Sequence, residues 1–343
     1  MTDPAWPVMS IAEAHARLTA PGERFEIVEL PIRGVLTKVW KNAPPTLRDV
    51  FNNARGFPDR EFLVYEDERA TYEAFARATL TLARQLQADG VKKGDRVAVI
   101  MRNLPEWPVA FFAGILAGAI VTPLNAWWTG AELEYGLADS GTKVVIADEE
   151  RLGRIGEYLD GLTDLTRVYV SRLTEPAPNA KVHRLEDVIG PVNSWKNLPD
   201  LPLPDVEIGP EDDATILYTS GTTGKPKGAL GTHRNMTSNI GAGGISAARN
   251  FLRAGQPLPE SDPHKLPQRV TLLVVPFFHA TGLSATLGPT MNAGGKIVLM
   301  RRWDAEPAMR LIEREKVMST GGVPTIAWQL IEHPARAKYD LSS

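Results

Sequence analysis

From residue 46 onward the apolar positions follow two alternating rhythms. Leu47, Val50, Phe51 and Ala54 recur at helical spacing behind Thr46-x-x-Asp49, an N-terminal capping pattern, and Gly56-Phe57-Pro58 closes that segment. Tyr72, Phe75, Thr79, Leu82, Ala83 and Leu86 mark a second amphipathic helix that ends at Gly90. Short continuous apolar runs, as expected of strands buried on both faces, stand at residues 96–101, 119–123, 143–147 and 167–170. Between them helices are predicted over 108–118, from the cap Thr129-x-x-Glu132 to Ser140-Gly141, and over 151–159. After a Pro-rich stretch at 197–210 the plan repeats, with strands predicted at 215–218, 270–275, 296–300 and 317–319. The polar, Pro-rich residues 249–268 are expected to form a surface insertion.

This alternation predicts an α/β chain: two α/β subdomains with mainly parallel sheets covered by helices, residues 46–205 and 206–343. Residues 1–45 are expected to be an N-terminal arm with one short helix behind Ser10-x-x-Glu13, then extended chain. A ligand crevice is expected where strand ends and connecting loops meet.

Residues 107–131 carry no charge, yet Pro108, Thr122, Pro123, Asn125, Thr129 and Gly130 interrupt them. The expectation is a buried helix and strand with no transmembrane segment, Gly114 and Gly118 letting the helix pack closely. Trp127 and Trp128 are expected to pack in a core or interface, and Met291 and Met309 to fill gaps.

The 343 residues include no cysteine, which excludes disulfides, thiolate metal centres and a thiol nucleophile; thioester chemistry would need an external thiol. With 38 Lys+Arg against 41 Asp+Glu and no long basic run, the chain has no electrostatic footprint for nucleic acid. The start carries Asp3 and Glu13 and no basic region ahead of an apolar stretch, so no secretory signal is read and a cytoplasmic location is expected.

The most informative segment is Ile216-Leu-Tyr-Thr-Ser-Gly-Thr-Thr-Gly-Lys-Pro-Lys-Gly228. Gly221, Gly224 and Gly228 permit backbone shapes in which successive N–H groups face one anion, while hydroxyls donate and Lys225 and Lys227 neutralise charge. It is not a Walker loop: the spacing differs, Pro226 follows the lysine, and residues 229–233 read as strand, which removes the helix dipole. His233 is read as ending that strand before a helix capped by Asn235.

Ten consecutive positions, Thr219 to Gly228, resemble the AMP-binding motif of the adenylate-forming superfamily, which includes acyl-CoA synthetases, firefly-type luciferases and nonribosomal peptide adenylation domains. Thr71-Tyr72-Glu73, Gly94-Asp95-Arg96-Val97-Ala98 and residues 117–125 look like landmarks of the same family in the same order. So does Pro276-Phe-Phe-His-Ala-Thr-Gly282, and Gly321-Gly-Val-Pro-Thr325 is similar to a segment of the acyl-CoA synthetase branch. The resemblance covers roughly residues 46–343.

It implies an ATP-dependent acyl-CoA synthetase. A small-molecule carboxylic acid, expected to be a fatty acid, attacks the α-phosphate of Mg-ATP, pyrophosphate leaves, and coenzyme A cleaves the acyl-adenylate. By the same resemblance Thr219, Ser220, Gly221, Thr222, Thr223, Gly224, Lys225 and Lys227 would bind the ATP phosphates, with Thr219 beside Mg2+ and Thr219, Lys227 and His279 catalytic. His279 would sit beside carboxylate and adenylate, against the alternative of a core histidine. The resemblance also implies parts further along such proteins: a Tyr-Gly-x-Thr-Glu segment, a ribose-binding aspartate, a hinge and a mobile domain with a lysine. These are absent here, Tyr135-Gly136 being a false echo, so the chain reads as the front part of an enzyme, inactive or impaired alone and able to self-associate as a homodimer. Alternatives are a nonenzymatic nucleotide- or acyl-binding module, an acyl-AMP ligase, an aryl-CoA ligase or a luciferase-like enzyme.

Overall fold

The computed structural model describes residues 6–219 and 224–343. Four residues of the predicted phosphate loop, Ser220, Gly221, Thr222 and Thr223, lie outside the described residues. The chain opens with helix α1 (Ile11–Thr19), strands β1 (Ile27–Ile32) and β2 (Val35–Trp40), helix α2 (Leu47–Ala54), strands β3 (Glu61–Tyr65) and β4 (Glu68–Thr71), and helix α3 (Tyr72–Ala88). It continues through β5 (Arg96–Ile100), α4 (Glu106–Leu116), β6 (Ile120–Pro123), α5 (Gly130–Asp139), β7 (Thr142–Asp148), α6 (Glu149–Ile155), β8 (Arg167–Ser171), β9 (Val182–Arg184) and α7 (Glu186–Ile189). The remainder comprises β10 (Asp213–Thr219), β11 (Lys227–Thr232), α8 (His233–Arg253), β12 (Val270–Leu273), α9 (Gly288–Asn292), β13 (Lys296–Leu299), α10 (Ala305–Glu315), β14 (Ser319–Gly321) and α11 (Pro324–Ile331).

The caps form as their chemistry dictates. Ser10, Thr46 and Thr129 each accept from the third helical N–H, and Glu13, Asp49 and Glu132 return the bond to the cap's own N–H. At α8 the cap is Thr232, one turn ahead of the expected Asn235, which returns the bond as the third helical residue. His233 therefore starts the helix; it does not end the strand.

Two sheets result. The larger has the order β11-β10-β6-β5-β7-β8-β9 and the smaller β14-β12-β13-β3-β4; every pairing is parallel except the edge pairs β10–β11 and β3–β4. The expected boundary at residue 205 does not separate them, because β3 and β4 lie in the sheet of the second half and β10 and β11 in that of the first. Nor is the Pro-rich stretch a free joint. Arg77 donates to the Leu198 carbonyl at 2.6 Å, Arg84 to those of Pro202 and Leu203 at 3.0 and 3.1 Å, and Arg48 to that of Val206 at 2.6 Å. Carbonyls that proline-rich chain leaves without ladder partners thus bind it to α2 and α3.

Two further expectations shift. The last strand starts at Ser319, not at residue 317, because Lys316 ends α10 in the left-handed conformation and Val317 is spent in the turn. The helix before the expected insertion runs on to Arg253, and Arg60 then holds the carbonyls of Pro263, His264 and Leu266. The arm's extended chain is not loose: β1 and β2 pair antiparallel, and Phe25 and Trp40 pack on α8, where a Cβ at Gly244 or Gly241 would come within 2.9 or 2.8 Å of them.

Helix α4 is buried on every side, and among the described residues no helix is long and apolar enough to cross a membrane. A Cβ at Gly114 would come 2.7 Å from Val121 Cγ2, so the glycine is what lets α4 lie against β6. Gly114→Val is expected to cost about 1–3 kcal/mol by overpacking. It should lower the urea midpoint at unchanged slope. Gly153→Ala in α6, where a Cβ meets nothing within 4 Å, is the control and should lose nothing, gaining up to about 1 kcal/mol from helix propensity; an equal loss in both would overturn this account.

Candidate functional site

Parallel strands send their following loops to the carboxyl end of their sheet, and four such loops carry the residues of interest, three from the larger sheet and one from the smaller. They follow β5 at Arg102 and Asn103, β6 at 125–128, β10 at the glycine loop and β12 at 276–282. The two sheets meet through Asn103, which is buried. Its amide donates to the Val275 carbonyl at 3.2 Å and its Oδ1 accepts from the Phe277 N–H at 3.0 Å, fixing the loop that carries His279. Phe277 is fully buried and stacks on Trp107 of α4, ring centroids 5.0 Å apart.

The loop after β12 closes on itself because Gly282 has no side chain: a Cβ there would lie 2.1 Å from the Pro276 carbonyl oxygen. His279 is exposed, not a core histidine, and its Nδ1 accepts from the Thr281 N–H at 3.2 Å. That bond leaves the proton of the neutral ring on Nε2. Beside it, Phe278 meets Trp127 edge-on at 5.2 Å, and the Arg102 guanidinium lies 5.2 Å from the Trp127 ring centre. Trp128 packs inside the fold against Tyr218, as expected, whereas Trp127 is 54% exposed and forms part of the wall around the His279 loop.

On the glycine loop the structure places Thr219 at the end of β10, directly across from Lys227 at the start of β11. Thr219, Gly224, Lys225 and Lys227 are all exposed. Gly224 has φ +101°, a conformation that side chains resist. At Gly228 a Cβ would come 2.7 Å from Ile216 Cγ2, so this glycine allows the close crossing of the two stems. Strand β11 follows the loop, and the phosphate chemistry available is that of amides, hydroxyls and lysines. Among the described residues no group of three or more His, Asp or Glu could hold a metal. Thr219 offers one neutral oxygen, so Mg2+ here would depend on the phosphates it accompanies.

Sequence reasoning missed the supports behind these loops. Asp148, at the end of β7, accepts from the Arg102 N–H at 3.1 Å and pairs with Arg151, whose side chain is fully buried. Arg151 Nε donates in turn to the Ala126 carbonyl at 2.9 Å, joining the loops after β5, β6 and β7.

His233 has a structural place: buried, its Nδ1 accepts from the Leu47 N–H at 3.2 Å, tying α8 to the start of α2. Burial pushes it down to about 4, with Lys93 acting the same way against the opposite pull of Asp212 and Asp49. The folded state thus favours the neutral ring, and the unfolded chain takes the proton first as pH falls. Stability is expected to hold above about pH 6.5 and to fall by about 3 kcal/mol toward pH 4. Urea unfolding across that range reads the slope. His233→Asn should flatten it, and an unchanged slope would overturn the assignment.

Comparison with known proteins bears on the whole arrangement. The family described as AMP-binding enzyme matches residues 50–343. The long-chain-fatty-acid–CoA ligase of Bacillus subtilis is 29% identical over 317 residues, 87% of this chain and 54% of its own. The feruloyl-CoA synthase of an Amycolatopsis species is 33% identical over 273 residues, 80% of this chain and 47% of its own. The N-terminal domain of FACL13 from Mycobacterium tuberculosis superposes with a TM-score of 0.65 at 26% identity, covering 85% of this chain and 66% of that one. The chain spans about half the length of the curated relatives it matches. With the family matched over most of its length, the chain belongs to the AMP-binding enzymes, and its relatives include acyl- and aryl-CoA ligases.

Proposed function

We propose that the protein is an ATP-dependent acyl-CoA synthetase that activates a carboxylic acid as its acyl-adenylate and passes the acyl group to coenzyme A. The observation that supports this best is the placement of the two motif loops: the Thr219–Lys227 pair and the His279 loop each follow the carboxyl end of a parallel strand, β10 and β12, in two sheets that Asn103 joins. In this reading Lys225 and Lys227 offset the charge of the β- and γ-phosphates, and Thr219 donates to them beside Mg2+. Ser220, Gly221, Thr222, Thr223 and Gly224 complete the cradle. The gain is electrostatic, from donors placed where negative charge develops as pyrophosphate leaves. His279, with its proton on Nε2, is a donor for the carboxylate or the adenylate phosphate. The absence of cysteine fits a thiol brought by coenzyme A.

For the acid we favour a fatty acid, supported by the Bacillus relative, the longer of the two matches. An aryl acid is the second reading, favoured by the higher identity to a feruloyl-CoA synthase. Saturable MgATP binding by this chain is expected, and Lys227→Ala should weaken it at least about tenfold through the lost charge pair. Binding that Lys227→Ala leaves unchanged would remove the loop from this role. Acid-dependent ATP–pyrophosphate exchange over fatty and aromatic acids decides between the two substrate readings.

A further inference from the structure

We propose that helix α5 is the brace of the glycine loop and that Tyr135 is its positioning residue, pinning Pro226 and parking Lys225; this rests on the phosphate-binding reading above. Tyr135 and Asp139 stand four residues apart, hence on one face of α5. Each holds one stem of the loop. On the incoming stem the Tyr218 hydroxyl donates to Asp139 Oδ2 at 2.6 Å. On the outgoing stem the Tyr135 hydroxyl donates to the Pro226 carbonyl at 3.3 Å, and Lys225 Nζ lies 4.9 Å from the Tyr135 ring centre.

The surrounding sequence is shaped for this grip. Gly228 faces Tyr218 in the strand register, and a Cβ there would crowd the Tyr218 ring at 3.3 Å as well as Ile216. The glycine thus leaves Tyr218 free to reach α5. The helix is itself seated firmly, by the Thr129–Glu132 capping box and by Gly136, where a Cβ would lie 3.1 Å from both Leu124 and Trp128. Tyr135-Gly136, a false echo of a family motif further along, thus acquires a role of its own.

Two consequences follow for a polyphosphate. A loop whose stems are already fastened loses less conformational freedom on binding, which raises affinity without a direct contact. A lysine on a half-buried aromatic face at the surface is held weakly, so it can leave the ring for a phosphate at small cost.

The test compares Tyr135→Leu, Tyr135→Phe, Asp139→Ala and Lys227→Ala in MgATP titrations of this chain, with thermal unfolding and amide hydrogen exchange of residues 224–232 alongside. Tyr135→Leu is expected to weaken MgATP about five- to tenfold through lost preorganisation. Tyr135→Phe keeps the ring for Lys225 and should lose less, and Asp139→Ala should weaken binding through the other stem. Exchange in β11 should quicken in all three at temperatures where each is fully folded. A role in stability alone would lower the melting temperature and leave both affinity and β11 exchange unchanged, which would overturn the proposal. If Lys227→Ala loses MgATP while Tyr135→Leu binds as the parent does, the brace falls and the phosphate reading stands. If neither variant weakens binding, the phosphate reading fails and the brace fails with it.

Discussion

Arg151→Met is expected to destabilise the protein by about 3–5 kcal/mol, the cost of leaving a buried carboxylate without its partner. The Arg151 side chain is 0% exposed and that of Asp148 4%. Its guanidinium reaches both Asp148 oxygens at 3.2 and 3.1 Å, Glu150 at 2.8 Å and the Ala126 carbonyl at 2.9 Å. Methionine fills the stem's space and supplies none of the donors, so Asp148 keeps only the N–H groups of Arg102 and Arg151. The double variant Asp148→Asn/Arg151→Met should recover part of the loss, because it removes the uncompensated charge along with its partner. Urea unfolding of the three proteins measures this. A loss below about 1 kcal/mol in the single variant would mean that water solvates Asp148, and the site would then be a surface pair. The same substitution reaches the candidate site, since Ala126 precedes Trp127, which packs on Phe278 beside His279.

How much of this was legible in the sequence depends on the distance over which each feature acts. Helix caps act over three residues, and Thr46-x-x-Asp49 and Thr129-x-x-Glu132 were read directly. At α8 the local chemistry was right and the register wrong, because Thr232 and Asn235 are both good caps. The family was legible because the glycine loop concentrates its resemblance in ten consecutive residues. The hairpin β3–β4 was not: its turn places Glu66 at φ +51° with no glycine or asparagine to announce it. Strand order was hidden as well, since nothing near residues 61–65 tells that they pair with Ile297 and Val298. Arg151 sits in Glu-Glu-Arg-Leu-Gly-Arg, which reads as a solvated helix face, and only the tertiary fold buries it. Asp148 and Asn103 offered one faint signal, a polar residue just at or beyond the carboxyl end of a buried strand.

Asn103→Leu is the second large effect expected, and it separates placement of the His279 loop from the chemistry of His279. The side chain acts across 172 and 174 residues of sequence, donating to Val275 and accepting from Phe277. Leucine matches its size and leaves the buried Phe277 N–H and the half-buried Val275 carbonyl without this partner, at about 1–3 kcal/mol for the first and less for the second. A loss of about 2–3 kcal/mol in urea unfolding follows if the two penalties add. Asn103→Asp keeps the acceptor for the Phe277 N–H and loses the donor to Val275, so it should lie between leucine and the parent. Under the proposed function, exchange with a carboxylic acid should fall further in Asn103→Leu than MgATP binding does, because the glycine loop hangs from β10 and β11 while His279 hangs from Asn103. His279→Ala should reproduce that split with little loss of stability, since the ring is exposed. If Asn103→Leu weakened MgATP binding as much as acid-dependent exchange, the two loops would be coupled through the sheets, and Asn103 would no longer be the separate mount of the His279 loop.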